Sequence, residues 1–360
     1  MANSAYIHIP FCKSKCKYCS FVSYNKLELI SEYIFALLKD ISNNYTGEML
    51  NTLYFGGGTP SLIPIDLLEK LVKRFNLAEN AEITLELNPD DATQEYLNNL
   101  KRIGINRLSI GSQTFNDDIL KLIGRRHNSK QITDAINMAK NAGFENISVD
   151  LIYGLPTQTI DKLTLDLEKF LEHGIQHIST YGLKIEEDSF WGKNPPDVPD
   201  EDKQADMYEF INEKLEQNGF CRYEVSNFAL RGYESKHNLN YWNNNEYYGF
   251  GVAAHGYLDR VRYSNPIIIE DYIKNPLLHE YEHILTKQEM LEEEIFLGFR
   301  KSEGINCVRI KERFNVDFET RYAKILNKYS DFFEHTPNGF KLNLKGFLLS
   351  NVILSEFLDD

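Results

Sequence analysis

Short runs in which apolar and polar residues alternate recur through the first half of the chain, and longer stretches with helical spacing separate them. The alternation predicts strands at residues 5–9, 52–55, 83–87, 107–110, 146–152 and 177–183. Helical spacing predicts helices at 29–41, 67–75, 117–123, 130–142 and 163–173. In the first of these, Ile30, Tyr33, Ile34, Leu37, Leu38 and Ile41 form one apolar stripe. Strands alternating with helices over residues 5–183 predict an α/β fold with a parallel sheet and right-handed crossovers, either doubly wound or a (β/α) barrel. Both place their sites at the strand ends, and the polar and glycine-rich segments follow strands here.

Beyond residue 183 the pattern changes. Residues 184–202 are acidic and carry Pro195, Pro196 and Pro199, which predicts an exposed connection. An amphipathic helix is expected at 203–218 and a short strand at 223–228. Residues 229–264, dense in Asn, Gly, Tyr and His, predict a loop that lines a pocket. Helices at 288–299, 308–314 and 318–328, a hairpin over 332–343 turning at Asn338-Gly339, and a last helix at 344–356 predict a small winged-helix-like C-terminal domain. The expected organisation is a core over 1–183, an extension over 184–284 and a C-terminal domain over 285–360.

Composition narrows the function. Of 360 residues, 42% are hydrophobic and 26% charged, which excludes disorder as the main state. The net charge of −14 opposes binding to a phosphate backbone, so no nucleic-acid partner is expected. No apolar stretch approaches the roughly 18 residues of a membrane span, and the N-terminus has no signal-peptide pattern. A cytoplasmic protein is expected, with peripheral membrane contact left open, and disulfides are rare in that compartment.

Three of the five cysteines, Cys12, Cys16 and Cys19, are spaced Cys-x3-Cys-x2-Cys directly after the first strand, among Lys13, Lys15 and Lys17. Cys221 and Cys307 stand alone and are expected to be small buried hydrophobes. The triplet is too polar in its surroundings for that. Structural zinc would need a fourth ligand, for which His8 is the neighbour. An iron–sulfur cluster suits three thiolates better and leaves one iron open to a ligand. Nearby lysines favour the thiolate form.

This spacing, with Tyr18 before the last cysteine, resembles the radical SAM superfamily. The resemblance implies a partial (β/α)6 TIM-like barrel, a [4Fe–4S] cluster on Cys12, Cys16 and Cys19, and S-adenosylmethionine bound at the open iron, where reduction cleaves its sulfonium. Gly56-Gly57-Gly58-Thr59-Pro60 after the second strand is similar to the superfamily's glycine segment, which implies that Gly57, Gly58 and Thr59 hold the methionine end. The segments around Glu86, Gln113, Arg125 and Asp150 resemble the branch that contains coproporphyrinogen III dehydrogenases (HemN) and their HemW relatives. By that resemblance Tyr6, Glu86, Gln113, Arg125 and Asp150 contact S-adenosylmethionine, and Tyr18 lies close to the cluster.

Two features separate the two kinds of relative. The dehydrogenase pattern has a further cysteine two positions after the third, where this chain has Phe21, and an N-terminal extension that is not expected here. His237-Asn238-Leu239-Asn240-Tyr241-Trp242 resembles the HNxxYW motif of the heme-binding relatives, regarded as heme chaperones. An imidazole is a common axial ligand for heme iron, and Tyr241 and Trp242 would border the macrocycle. His255 is a second candidate ligand. His173, His177, His279, His283 and His335 carry no signal of their own. The resemblance therefore implies a heme chaperone whose partners are heme, heme-accepting proteins and a reductant such as a flavodoxin or ferredoxin. The alternative is oxygen-independent oxidation of coproporphyrinogen III in porphyrin biosynthesis.

Overall fold

In the computed structural model, which describes residues 1–358, six parallel strands follow one another across a curved sheet in chain order. They are Ser4–Ile9 (β1), Leu50–Gly57 (β2), Leu77–Leu87 (β3), Arg107–Gln113 (β4), Asn146–Tyr153 (β5) and His177–Gly182 (β6). Between them run the helices Ile30–Asn44 (α1), Ile65–Val72 (α2), Gln94–Arg102 (α3), Asp117–Ile123 (α4), Ser129–Asn141 (α5) and Ile160–Glu172 (α6). The alternation seen in the sequence has a plain cause. Ile7, Leu53, Leu85, Leu108, Val149 and Ile178 point outward under the helices and are fully buried. Their neighbours Tyr6, Thr52, Glu86, Ser109, Asp150 and Ser179 turn inward. The interior is thus polar, unlike a barrel packed with branched apolar side chains.

The sheet stays open. Past β6 the order continues antiparallel through Asn227–Ala229 to Cys221–Arg222 (β7 being Cys221–Arg222 and β8 Asn227–Ala229). At the other edge Tyr248–Phe250 (β9) runs parallel to β1. The barrel is therefore the expected partial one.

The sequence pattern departs from the structure in several places. Helix α3 was not expected, because only Leu97 and Leu100 of its residues are buried and the rest is polar. Thr93 caps it by accepting from Tyr96 N–H. The expected strand at 223–228 is two shorter ones, β7 and β8, around the buried Glu224. The acidic connection holds a short helix, Phe190–Lys193 (α7), and the amphipathic helix lies at Glu201–Gln217 (α8). Residues 229–264 are not a loop. They carry Lys236–Trp242 (α9), strand β9, and two strands, His255–Leu258 (β10) and Val261–Ser264 (β11). The last two form an antiparallel sheet with Tyr281–Ile284 (β12).

A second apolar core gathers Leu291, Ile295, Phe299, Phe318, Phe340 and Phe357. It joins helices that include Lys287–Gly298 to a small antiparallel sheet of Ile305–Asn306 (β13), Phe333–Thr336 (β14) and Gly339–Leu342 (β15). The expected hairpin is present with its connection at residues 337–338, so Gly339 opens a strand instead of sitting in the turn. The helices expected at 318–328 and 344–356 each break once, at Tyr322 and Leu349. Cys221 is exposed, against expectation, because it lies on the edge strand β7; Cys307 is half-buried. Among the described residues no helix is long and apolar enough to cross a membrane.

Candidate functional site

The cysteine loop leaves β1 and is pinned before any ligand is considered. At its neck Cys12 N–H donates to Tyr24 O at 3.0 Å and Tyr24 N–H to Pro10 O at 2.6 Å. At its crown Lys17 N–H donates to Ile123 O at the end of α4, and Trp191 N–H to Lys17 O, both at 3.0 Å. Lys13 Nζ reaches Asp91 Oδ1 at 2.7 Å. All three thiols are free and line one cleft of about 530 Å³. Burial raises the pKa of the Cys19 thiol.

A chain of polar contacts links two of the cysteines. Cys12 Sγ lies 3.5 Å from Thr59 Oγ1. Asn88 Nδ2 donates to that Oγ1 at 3.0 Å, and Arg125 Nη2 donates to Asn88 Oδ1 at 2.7 Å. Arg125 Nη1 then approaches Cys16 Sγ at 3.5 Å. Asn88 is the member that sequence reasoning missed. Its only signal is an Asn-Pro step at the end of β3.

The glycine segment follows β2 where the chain passes its neighbours most closely. Gly57 has φ +114°, and a Cβ there would meet His8 Cε1 at 2.6 Å; one on Gly58 would meet Phe11 O at 2.7 Å. Bare backbone therefore faces the cleft at Gly57 and Gly58. Glu86 Oε2 accepts from Gly57 N–H at 3.1 Å, and Oε1 accepts from Tyr54 OH at 2.9 Å. Asp150 accepts from Ser109 Oγ at 3.2 Å. Burial, reinforced by the nearby Asp150, pushes Glu86 up to about 7, and burial pushes Asp150 to about 6. A cationic ligand between them would relieve both. Gln113 also lines the cleft, held at φ 67° where the β4–β5 register shifts.

The cleft thus collects Cys12, Cys16, Cys19, Tyr18, Gly57, Gly58, Thr59, Glu86, Gln113, Arg125 and Asp150. Phe21 stands at its rim, 65% exposed. Tyr6 is not on the cleft wall: it lies deeper in the barrel, with its hydroxyl 3.0 Å from His8 Nδ1 and its ring stacked on Tyr54.

The HNxxYW residues lie elsewhere. His237 sits at the opposite end of the barrel, beside Thr52, five residues or roughly 16 Å along β2 from Gly57. Thr52 Oγ1 and His237 Nδ1 are 2.7 Å apart, and Tyr241 OH is 2.7 Å from Nε2, so both ring nitrogens are engaged. The ring stacks on Tyr54 at 5.0 Å and is 1% exposed. Burial, with the Arg107 charge, pulls its pKa down to about 3 and keeps it neutral. Glu82 accepts from the N–H groups of Lys236 and His237, both at 3.1 Å, and so seats α9 under the barrel. Trp242 lines a different cavity, between α9 and the C-terminal sheet. His255 is exposed on β10.

These residues fit the cofactors that the spacing suggested. The thiols open onto the cleft instead of closing on one point, and among the described residues no three His, Cys, Asp or Glu side chains gather as a single metal ion would require. A polynuclear cluster fits such an arrangement. The two buried carboxylates beside the glycine backbone fit a ligand that carries sulfonium and ammonium charge.

Comparison with known proteins agrees. The Radical SAM superfamily model matches residues 6–170, and the HemN C-terminal domain model matches residues 285–349. Heme chaperone HemW of Lactococcus lactis is 40% identical, over 99% of this chain and 98% of its own length. Heme chaperone HemW of Bacillus subtilis is 37% identical, over 99% of both. The structure of coproporphyrinogen III oxidase (HemN) from Escherichia coli superposes with a TM-score of 0.87, covering 99% of this chain and 90% of that one; at 22% identity this establishes the shared fold. End-to-end relatives at this identity, on that fold, place the chain in the HemW family of radical SAM proteins.

Proposed function

We propose that this protein binds heme and passes it to acceptor proteins, and that its barrel carries a [4Fe–4S] cluster on Cys12, Cys16 and Cys19 with S-adenosylmethionine beside it. The observation that carries the heme role is the end-to-end match to relatives named as heme chaperones. The cofactor assignment is supported by the single cleft that joins three thiols, a glycine cradle and two buried carboxylates.

When bound, the cluster and S-adenosylmethionine supply one-electron chemistry at the sulfonium. The chain's own contribution is positional. Gly57, Gly58 and Thr59 offer backbone and hydroxyl at close range. Glu86, Asp150 and Gln113 orient the polar ends of the ligand. Arg125 holds positive charge against Cys16 and is itself fixed by Asn88. Lys15 exposes positive charge beside the cysteines, which suits a small acidic reductant such as a flavodoxin or ferredoxin. The five free cysteines agree with a cytoplasmic setting, from which membrane-bound acceptors are reached peripherally.

The shared HemN fold keeps one competitor, coproporphyrinogen III oxidation. One anaerobic experiment separates the two. Heme-loaded, cluster-reconstituted protein is mixed with an apo heme acceptor, and in parallel with coproporphyrinogen III, S-adenosylmethionine and a low-potential reductant. Heme transfer without porphyrin conversion is expected. Stoichiometric protoporphyrinogen without transfer would establish the oxidase instead.

A further inference from the structure

The heme-binding residues suggested by the sequence do not converge: His237 is sealed inside the barrel while Trp242, five residues later, lines a cavity of about 590 Å³. That volume lies within the usual range for small-molecule sites. We propose that this cavity is the heme site and that His335 supplies an axial ligand. The proposal rests on the heme-binding function above and names the site for it.

Of nine histidines in the chain, His335 and His255 are the two whose rings make no hydrogen bond among the described residues. His335 is on the cavity wall, on strand β14, its ring 4.6 Å from that of Phe340. Both of its nitrogens are therefore open to a metal, whereas an iron at His237 would first have to displace Thr52 or Tyr241. Trp242 offers an apolar aromatic face for a planar macrocycle. Lys301, Arg309 and Lys341 line the same cavity and match the charge of two propionates. Glu294 answers part of this charge, being paired with Arg309 at 2.9 Å, and so does Glu334, paired with Lys341 at 3.0 Å; Glu303 lines the cavity as well, so incoming propionates would exchange for these carboxylates.

The arrangement also divides the labour within the HNxxYW string. Its histidine, tied to Thr52 and Tyr241, fixes α9 under the barrel; its tryptophan is the part presented to the cavity.

The test is a ferric-heme titration of the full-length chain, read by the Soret band and by the low-spin signal in electron paramagnetic resonance. His335→Ala is expected to weaken binding by at least the about tenfold seen for loss of a metal-supporting partner, and to remove the low-spin signal. Added imidazole is expected to restore that signal in His335→Ala, which a merely structural role would not produce. Lys341→Ala, on the same wall, is expected to weaken binding and keep the signal. His283→Ala, on β12 and away from the cavity, is expected to match the unaltered chain. Unchanged affinity and signal in His335→Ala would overturn the site while leaving heme binding intact, as would loss of the signal in His237→Gln with His335→Ala unaffected. Failure of the unaltered chain to bind heme would overturn the proposed function itself.

Discussion

Thr52 Oγ1 and His237 Nδ1 meet at 2.7 Å inside the barrel, joining the second strand to a helix 185 residues further along the chain. Removing the imidazole leaves a buried cavity and unpairs Thr52 and Tyr241. His237→Ala is expected to cost about 3 kcal/mol, and Thr52→Val about 1 kcal/mol. Denaturant unfolding of the two variants and their double mutant checks this. Full additivity would show that the contact contributes nothing.

The backbone at Gly57 leaves no space for a methyl group. Gly57→Ala meets the His8 ring at 2.6 Å and strains φ at +114°. Binding of S-adenosylmethionine to the reconstituted protein, measured calorimetrically, is expected to fall at least tenfold, about 1.4 kcal/mol, while iron content stays unchanged. Unaltered affinity would remove the glycine cradle from the cofactor site.

Glu86 and Asp150 make ligand binding pH-dependent. Their folded pKa values, about 7 and about 6, lie above the ordinary 4.5 and 3.8. The fold therefore favours their protonated forms, and without a ligand they cost stability as pH rises from about 4 to about 7. A cationic ligand needs them ionised. The rise in melting temperature caused by S-adenosylmethionine is expected to grow between about pH 6 and pH 7.5, and Glu86→Gln should flatten that growth. A pH-independent shift would contradict the electrostatic account.

Cysteine replacement separates the two classes of thiol. Ser at Cys12, Cys16 or Cys19 is expected to abolish the cluster absorbance after anaerobic reconstitution. Ser at Cys221 or Cys307 is expected to leave iron and sulfide content unchanged. Iron retained in full by all three loop variants would place the cluster elsewhere.

Asn88 bridges Thr59 and Arg125, so Asn88→Ala removes one of the two acceptors of Arg125 Nη2, leaving Gly111 O to hold the guanidinium beside Cys16. The expected cost is about 2 kcal/mol of stability, together with a shift in cluster potential as Arg125 loosens. Redox titration of the variant reads the second effect. A potential identical to that of the unaltered protein would show that Arg125 holds its place without Asn88.

The parallel core was legible because its two faces differ so sharply. Apolar residues lie under the helices and polar ones line the lumen, which gives each strand a period of two despite burial on both sides. The cysteines, the glycines and Glu86 were legible because each ends or follows a strand, whereas Asp150, within β5, was legible through the family resemblance. Helix α3 escaped because it buries little, and α9 because Asn238, Asn240 and Asn243 resemble loop residues until Ser235 and Glu82 cap them. The placement of His237 was not legible at all. Its surroundings, Thr52, Tyr54 and Tyr241, are assembled by the barrel and not by the motif.

The tethers on the cysteine loop bear on how the protein is made and repaired. Tyr24, Ile123, Trp191 and Asp91 all grip the loop through groups that are not thiols. These contacts would hold the loop's shape without metal, unlike a zinc finger, which collapses when its ion is stripped. A cluster of the kind proposed would then be installed after synthesis, into a loop already in shape. The emptied protein would then be a reusable scaffold and not waste for a protease.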